Sequence, residues 1–244
     1  MLKILIDFDG TITTCDVGDA MFEHFGGHQC AGIIEAYHQE RISAAECFRQ
    51  ESAACGDVTM ITLDAFLDQQ QIDPTFPAFV QFCADAGYDM TILSDGMDYY
   101  ISRILSNHGL SGVRFFSNHL NFENAGKNSL VRFEPEFPYQ DETCDRCACC
   151  KRNHILTSSA DDDTIVYVGE GYSDRCPARY ADVVFAKDNL LRYCQKENIS
   201  YFEYRSFADI QDRMVKTFSQ PGKKRLFRKG KQAERARRDV FLGG

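Results

Sequence analysis

Two aspartates near the amino terminus have the type and spacing of residues that hold a metal ion. The apolar run 2–6 contains two β-branched residues, which predicts one buried strand, and Asp7 and Asp9 follow it directly. Residues two apart on an extended chain face the same way, and carboxylates this close repel each other. A hard divalent cation such as Mg²⁺ relieves that repulsion through oxygen ligands. An Asp-rich turn is the plainer alternative, but Gly10 and Thr11 complete a much more specific D-x-D-G-T pattern.

Other polar residues stand where further predicted strands end. Ser94 follows a second apolar run, Glu170 and Asp174 follow a third, and Lys151 begins a predicted helix. The carboxyl ends of parallel strands converge on one crevice, so we expect these residues to join Asp7 there. Taken singly, Ser94 could cap the next helix, Lys151 could be a surface lysine and Asp174 could be a helix N-cap. Their joint occurrence at strand ends favours a site.

Such a set contains the groups that phosphoryl transfer needs. One carboxylate can attack phosphorus, and a second can protonate the leaving oxygen and later activate water. A hydroxyl and a lysine can hold the phosphoryl oxygens while charge spreads over them. A further acidic loop can complete a Mg²⁺ site.

The predicted elements indicate an α/β fold, a Rossmann-like parallel sheet with helices on both faces and an inserted helical cap. The segment 14–72 shows no strand-like alternation and is predicted to be all-helical. The domain prediction is a core of residues 1–14 and 73–220, a cap of residues 15–72 and a basic tail of residues 221–244. Parallel strands are predicted at 2–6, 90–93, 164–168 and 182–186. Further strand-like segments are predicted at about 113–117, 119–123 and 129–133, with a hairpin turn at 124–128.

Four motifs in chain order resemble those of the haloacid dehalogenase superfamily of phosphatases. They are D-F-D-G-T at 7–11, L-S-D-G at 93–96, Lys151, and G-E-G-Y-S-D at 169–174. The resemblance spans residues 2–195, and the helical segment after the first motif is similar to the cap of the phosphoserine-phosphatase-like branch. The run S-D-G-M-D-Y-Y and the cysteine-rich turn before the lysine are similar to two groups. These are the methionine-salvage phosphatases that act on a hydroxy-keto-methylthiopentenyl phosphate and the phosphoethanolamine/phosphocholine phosphatases.

The resemblance implies a role for each matching residue. Asp7 is expected to be the nucleophile and a Mg²⁺ ligand, and Asp9 the general acid/base whose backbone carbonyl also contacts Mg²⁺. Ser94 and Lys151 are expected to bind the phosphoryl group. The implied function is Mg²⁺-dependent hydrolysis of a small phosphomonoester, a phosphorylated metabolite, through an aspartyl-phosphate intermediate.

Several positions leave alternatives open. Glu170 stands where the family usually has the Asp that binds Mg²⁺ directly, so the metal could shift or Asp174 could become the direct ligand. Asp16 lies at the offset of a substrate-contacting acidic residue, and it is equally suited to cap a helix. Asp95 and Gly96 complete the expected substrate-binding set. The alternative functions are a phosphotransferase to an acceptor other than water and a catalytically impaired binding module.

Charge and hydropathy limit the partners. The chain has 244 residues and a net charge of −9, and it has no apolar run long enough for a transmembrane helix. Without a signal-peptide layout, cytoplasmic residence is the expectation. Nine Lys and Arg residues and one Glu lie between 222 and 238. This tail could bind nucleic acid or an anionic membrane, but a disordered solubilising end or a dimer contact is favoured. The acidic remainder gives no reason to expect nucleic-acid binding.

Cysteines are unusually frequent, with eleven in the chain. The odd number and the apolar surroundings favour buried thiols in a reducing compartment. Four of them cluster immediately before Lys151 and could bind zinc, form a disulfide or remain free thiols: Cys144, Cys147, Cys149 and Cys150. Free thiols are favoured because the spacing is tighter than in the usual paired C-x₂-C zinc sites.

Overall fold

A computed structural model describes residues 1–124, 129–142, 144, 146–218 and 231–241. The strands within those residues are β1 (Leu2–Ile6), β2 (Val58–Thr59), β3 (Asp89–Met97), β4 (Phe115–Asn124), β5 (Leu130–Glu136), β6 (Thr164–Gly169), β7 (Val183–Ala186) and β8 (Phe202–Glu203). The helices are α1 (Val17–Gly26), α2 (Gln29–His38), α3 (Ala44–Ala54), α4 (Met60–Leu67), α5 (Phe76–Asp85), α6 (Asp98–Asn107), α7 (Lys151–Ser158), α8 (Asp188–Glu197), α9 (Phe207–Phe218) and α10 (Lys231–Phe241). The alternation of strands and helices confirms the predicted α/β class.

The first of two compact units, which comprises Met1–Asp7, Asp73–Ile92 and Lys151–Gly244, contains a parallel sheet. Its strand order is β3-β1-β6-β7-β8, and each neighbouring pair is parallel. Ile6 is aligned with Ile92 on one side and with Val168 on the other. The central strands form because their apolar runs are buried on both faces. Asp7 and the loop that begins at Glu170 therefore leave adjacent strands at the same edge.

Helices of the first unit pack through aromatic and charged contacts. The Phe207 ring of α9 lies 4.7 Å from Phe76 and 5.2 Å from Phe79 of α5, measured between ring centroids. In α10, the Arg237 guanidinium donates to Asp182 over 2.9 Å and to the Tyr180 carbonyl, and the arginine is buried. The expectation of a disordered end is therefore wrong for 231–241, because a buried ion pair holds this helix. The rest of the predicted basic tail, 221–230 and 242–244, lies outside the described residues.

The second unit comprises Phe8–Ile72 and Leu93–Cys150. Strand β4 pairs with β5 and β5 with β2, in each case antiparallel. Helices α1, α2 and α3 pack on one another. The N-cap residues of α1 and α3 are Asp16 and Ser43, whose side chains accept backbone hydrogen bonds. An aromatic cluster joins these helices to the sheet through the rings of Phe22, Phe25, Phe48, Phe66, Phe122 and Phe133.

Several predicted boundaries were wrong. Residues 113–117 and 119–123 do not form two strands; β4 is one continuous strand, and β5 extends beyond 133. The all-helical prediction for 14–72 missed β2, whose two residues pair with β5. Strand β3 continues through Ser94 to Met97, because polar side chains do not end a strand whose backbone still pairs with β4.

The predicted domain division stays a prediction. The two compact units divide the chain after Asp7 and group Leu93–Cys150 with the helices of Phe8–Ile72. Residues 125–128 of the predicted hairpin turn lie outside the described residues. Among the helices that are described, none has the length and apolar character needed to cross a membrane.

Candidate active site

Lys151 is the centre of a buried charge cluster in the first unit. It is the first residue of α7, and its side chain is 0% exposed. Its ammonium donates to Asp7 Oδ1 over 2.6 Å, to Asp174 Oδ1 over 2.8 Å and to Ser173 Oγ over 3.0 Å. A buried ammonium is tolerated only when it is paired and hydrogen-bonded, and these three oxygens meet that need. The surface-lysine alternative is therefore wrong.

Asp174 is held by four donors that use both of its carboxylate oxygens. Oδ1 accepts from Lys151 and from the Tyr167 hydroxyl at 2.5 Å, and Oδ2 accepts from the Glu170 and Gly171 amides, each at 2.9 Å. An ionised carboxylate offers about four lone-pair positions, so these donors occupy its acceptor capacity. Asp174 thus fixes the loop after β6 and orients Lys151, so it does not act as a helix N-cap. Direct Mg²⁺ binding by Asp174 stays a prediction.

Electrostatics in this cluster follow from burial and charge pairing. Burial alone would raise the pKa of the Asp174 carboxyl, but the Lys151 ammonium and the donated hydrogen bonds hold that pKa below its ordinary value. Burial, with the nearby Asp174 charge, raises the pKa of Tyr167 well above its ordinary value. The phenol therefore stays protonated and remains a hydrogen-bond donor to Asp174.

In the second unit, Asp9 is held by three donors. Its Oδ2 accepts from the Tyr100 hydroxyl over 2.8 Å and from Ser94 Oγ over 3.2 Å, and its Oδ1 accepts from the Val17 amide over 3.2 Å. Ser94 Oγ also accepts from the Gly96 amide over 2.9 Å. Ser94 does not cap the following helix, since α6 has Met97 at its N-cap position. The structure places Ser94 beside Asp9, and phosphoryl binding by Ser94 stays a prediction.

A tight turn fixes the backbone beyond Asp9. Gly10 has a φ of +66°, which lies in the left-handed region that glycine adopts without strain. The Gly10 amide donates to Thr13 Oγ1 over 3.0 Å, and that hydroxyl donates to the Cys15 carbonyl over 2.7 Å. Gly10 of the motif and Thr13, two residues beyond it, are therefore needed for the turn itself.

The remaining predicted substrate-binding residues have structural contacts of their own. Asp16 Oδ1 accepts from the Asp19 amide over 2.9 Å, so the N-cap alternative is confirmed, and substrate contact stays a prediction. Asp95 Oδ1 accepts from the Cys149 amide over 2.8 Å, which ties this motif to the cysteine-rich turn. A side chain at Gly96 would collide with the Tyr100 hydroxyl and Asp9 Oδ2, so only glycine fits there.

The cysteine-rich turn contains no disulfide bond. None of the eleven cysteines is disulfide-bonded, and the described residues include no group of three or more His, Cys, Asp or Glu arranged to hold a metal ion. Hydrogen bonds with the Cys144 and Cys150 thiols, together with burial, raise the pKa of Cys147 above its ordinary value. The Cys147 thiol is therefore protonated in this arrangement, and zinc binding by the cluster stays an open alternative.

The donor set of the first unit nevertheless fits Mg²⁺. Asp7 and the half-buried Glu170 supply carboxylate oxygens at the ends of neighbouring strands β1 and β6. Mg²⁺ usually takes only one or two protein carboxylates and completes its shell with water and substrate phosphate oxygens. The absence of a three-residue cage among the described side chains is consistent with such a site.

Three contributors to these clusters were not predicted. Ser173 lies inside the fourth motif, and its hydroxyl could have been recognised in the sequence as a possible hydrogen-bond partner at the site. Tyr167 lies on β6 and Tyr100 on α6, where both are buried among apolar residues. A tyrosine in an apolar run is read as core, and the sequence pattern does not show which hydroxyl reaches a carboxylate.

Comparison with known proteins identifies the family of this chain. Residues 2–217 match the model of the family described as Putative Phosphatase. The chain belongs to this family. Its sequence is 28% identical over 227 residues to Pdp3-interacting factor 1 of Schizosaccharomyces pombe, covering 89% of this chain and 96% of that protein. It is 29% identical over 224 residues to 2-hydroxy-3-keto-5-methylthiopentenyl-1-phosphate phosphatase of Exiguobacterium sibiricum, covering 88% and 97%.

Solved structures show the same fold for this member of the Putative Phosphatase family. A phospho-aspartyl intermediate analogue of phosphoserine phosphatase has a TM-score of 0.65 at 18% identity and covers 87% of this chain and 97% of its own. A substrate-bound phosphoserine phosphatase has a TM-score of 0.64, with the same identity and coverage. The protein is a haloacid dehalogenase-type phosphatase, and its fold is the one seen in phosphoserine phosphatase.

Proposed function

We propose that this phosphatase hydrolyses a small phosphomonoester through a covalent phosphate on Asp7, with Mg²⁺ as cofactor. The observation that carries the proposal is the buried Lys151 ammonium, 2.6 Å from Asp7 Oδ1 and 2.8 Å from Asp174 Oδ1. A phosphoryl group carries negative charge while it is transferred, and a cation fixed beside the attacking carboxylate compensates that charge. Such fixed charges stabilise the transition state without reorganising during the reaction.

The first half of the reaction moves the phosphoryl group to Asp7. A carboxylate oxygen of Asp7 forms a bond to phosphorus while the bond from phosphorus to the leaving oxygen breaks. The carboxyl group of Asp9, two residues further along the chain, gives its proton to that leaving oxygen, so an alcohol departs. Lys151 and the Ser94 hydroxyl hold the phosphoryl oxygens.

The second half returns the enzyme to its starting state. The Asp9 carboxylate takes a proton from a water molecule, whose oxygen bonds to phosphorus while the bond to Asp7 breaks. Inorganic phosphate leaves, and both aspartates regain their original forms. Bound Mg²⁺, held by Asp7, the Asp9 carbonyl and Glu170, would supply positive charge to the phosphoryl oxygens.

Phosphate release from a panel of small phosphomonoesters tests the proposal. The panel includes 2-hydroxy-3-keto-5-methylthiopentenyl-1-phosphate, which a 29% identical relative is named for, together with phosphoserine and phosphoethanolamine. We expect release that depends on Mg²⁺ and is lost in Asp7→Asn, with Asp85→Asn on the exposed end of α5 as the matched control. Release that is equal in Asp7→Asn and wild type contradicts the proposal, and no release from any ester favours the binding-module alternative.

A further inference from the structure

Tyr100 reaches the proposed acid/base residue from the core of the second unit. The tyrosine lies on α6, is 1% exposed, and donates its hydroxyl hydrogen to Asp9 Oδ2 over 2.8 Å. Its ring packs 6.3 Å from the Phe8 ring, measured between centroids. A buried phenol fixed by packing has little freedom to turn away, so the hydrogen bond constrains the carboxyl group it meets.

Two glycines leave room for this hydroxyl. A Cβ atom at Gly96 would clash with the Tyr100 hydroxyl and lie 2.6 Å from Asp9 Oδ2. A Cβ atom at Gly18 would lie 3.3 Å from the same hydroxyl. The contact between Tyr100 and Asp9 therefore depends on small residues on both sides. Glycine is required at Gly96 by this close approach, and not by a left-handed backbone.

Ser94 and Tyr100 share the same oxygen of Asp9 but differ in their proposed tasks. Ser94 Oγ lies 3.2 Å from Oδ2, and the proposed mechanism turns this hydroxyl toward the phosphoryl group. The shorter bond from Tyr100 stays in place during that change, because the phenol is locked in the core. Asp9 then keeps the Tyr100 hydroxyl at Oδ2 and the backbone amide of Val17 at Oδ1 as donors, and of these two only the phenol can be removed by a side-chain substitution.

We propose that Tyr100 is a positioning residue that fixes the Asp9 carboxyl group toward the leaving oxygen, an inference that rests on the proposed function. Proton transfer requires the carboxyl group within hydrogen-bond reach of the leaving oxygen. Without the phenol hydroxyl, the Asp9 carboxyl group can adopt orientations that do not reach the leaving oxygen. The loss affects the chemical step and not the binding of the phosphate group.

The test compares Tyr100→Phe, which keeps the ring, with Tyr99→Phe. Tyr99 is the adjacent residue on α6, and its hydroxyl donates to Asp64 over 2.6 Å and not to Asp9. Both variants are assayed on an alkyl phosphate and on p-nitrophenyl phosphate. An alkoxide must be protonated as it leaves, whereas p-nitrophenolate leaves without a proton. We expect Tyr100→Phe to lose ~10-fold or more in kcat/KM on the alkyl phosphate, within the range of general-acid contributions. This ratio covers only the steps up to departure of the leaving group, so the later activation of water by Asp9 does not enter it.

The outcomes separate the inference from the function on which it rests. A smaller loss on p-nitrophenyl phosphate than on the alkyl phosphate supports positioning of the acid. Equal losses on both substrates, or a loss shared by Tyr99→Phe, would overturn it. Crystal structures of wild type and Tyr100→Phe give a readout without activity: an Asp9 carboxyl that keeps its orientation in the variant contradicts the inference. Failure of the proposed function appears separately, as wild-type inactivity or full activity of Asp7→Asn.

Discussion

The Lys151 ammonium donates to the Asp7 carboxylate over 2.6 Å, although water reaches almost none of either side chain. Asp174 completes the cluster with a second carboxylate 2.8 Å from the same nitrogen. Coulombic attraction in this buried setting is strong, but so is the cost of removing three charges from water. These buried charges are therefore poor evidence that the cluster stabilises the fold. They indicate instead that the cluster in the first unit has a function.

We predict that Lys151→Met lowers the free energy of unfolding by ~3–5 kcal/mol, because Asp7 and Asp174 lose the cation that compensates their burial. Urea unfolding followed by circular dichroism measures the change. Lys216→Met, on the exposed face of α9, is the control and should shift stability by no more than ~0.5 kcal/mol. Equal stability of Lys151→Met and wild type would mean that the buried ion pairs are not formed in solution.

The second prediction is that the free energy of unfolding depends on pH through the Glu51 carboxyl group. Glu51 is 2% exposed, and burial, followed by the charge of Asp19, raises its pKa to about 8 from 4.5. The folded protein then holds a proton that the unfolded chain releases, so the free energy of unfolding falls as pH rises from 4.5 to about 8. Glu51→Gln keeps the shape and cannot ionise, so we expect it to be more stable than wild type at about pH 9, by roughly 1–4 kcal/mol.

Chemical denaturation at about pH 5 and about pH 9 measures the Glu51 effect. At the lower pH the glutamate is protonated, and we expect the two proteins to have similar stability. Glu46→Gln is the matched control, since this side chain lies on the same helix and is 44% exposed. Parallel stability curves for wild type and Glu51→Gln would contradict the raised pKa.

Much of the site could be predicted because topology determines it. Asp7, Lys151 and Asp174 lie together because a parallel sheet brings strand ends to one edge, and motif spacing places a carboxylate at two of those ends. The contacts of Asp95 could not be predicted in this way. Its carboxylate accepts from the Cys149 amide, a contact between residues more than fifty positions apart that has no sequence signature.

Other elements depend on tertiary contacts that patterns do not encode. Strand β2 has two residues and exists because it pairs with β5. Helix α10 has a strongly basic sequence typical of a solvated end, yet Arg237 is buried against Asp182. In each case a long-range contact overrides the local pattern, so the sequence favours the wrong structure.

Mg²⁺ affinity at Glu170 tests whether the proposed metal site is intact. The longer glutamate stands at the proposed Mg²⁺ position, so we predict that Glu170→Gln raises the Mg²⁺ dissociation constant ~10-fold or more, because a ligand charge is lost. Isothermal titration calorimetry of the unliganded proteins measures this, with Glu203→Gln on the exposed side of β8 as the control. We expect Glu170→Asp to bind Mg²⁺ at least as well as wild type. Identical affinities for Glu170→Gln and wild type would remove Glu170 from the metal site.

The most direct measurement is chemical trapping of the intermediate during turnover. Acid quenching of the enzyme with its best substrate, followed by borohydride reduction, converts an aspartyl phosphate to homoserine, which peptide mass spectrometry locates. We predict this change at Asp7 alone, with none in Asp7→Asn or in wild type without substrate. Steady phosphate release with Asp7 unmodified, or modification at another residue, would contradict a covalent phosphate on Asp7.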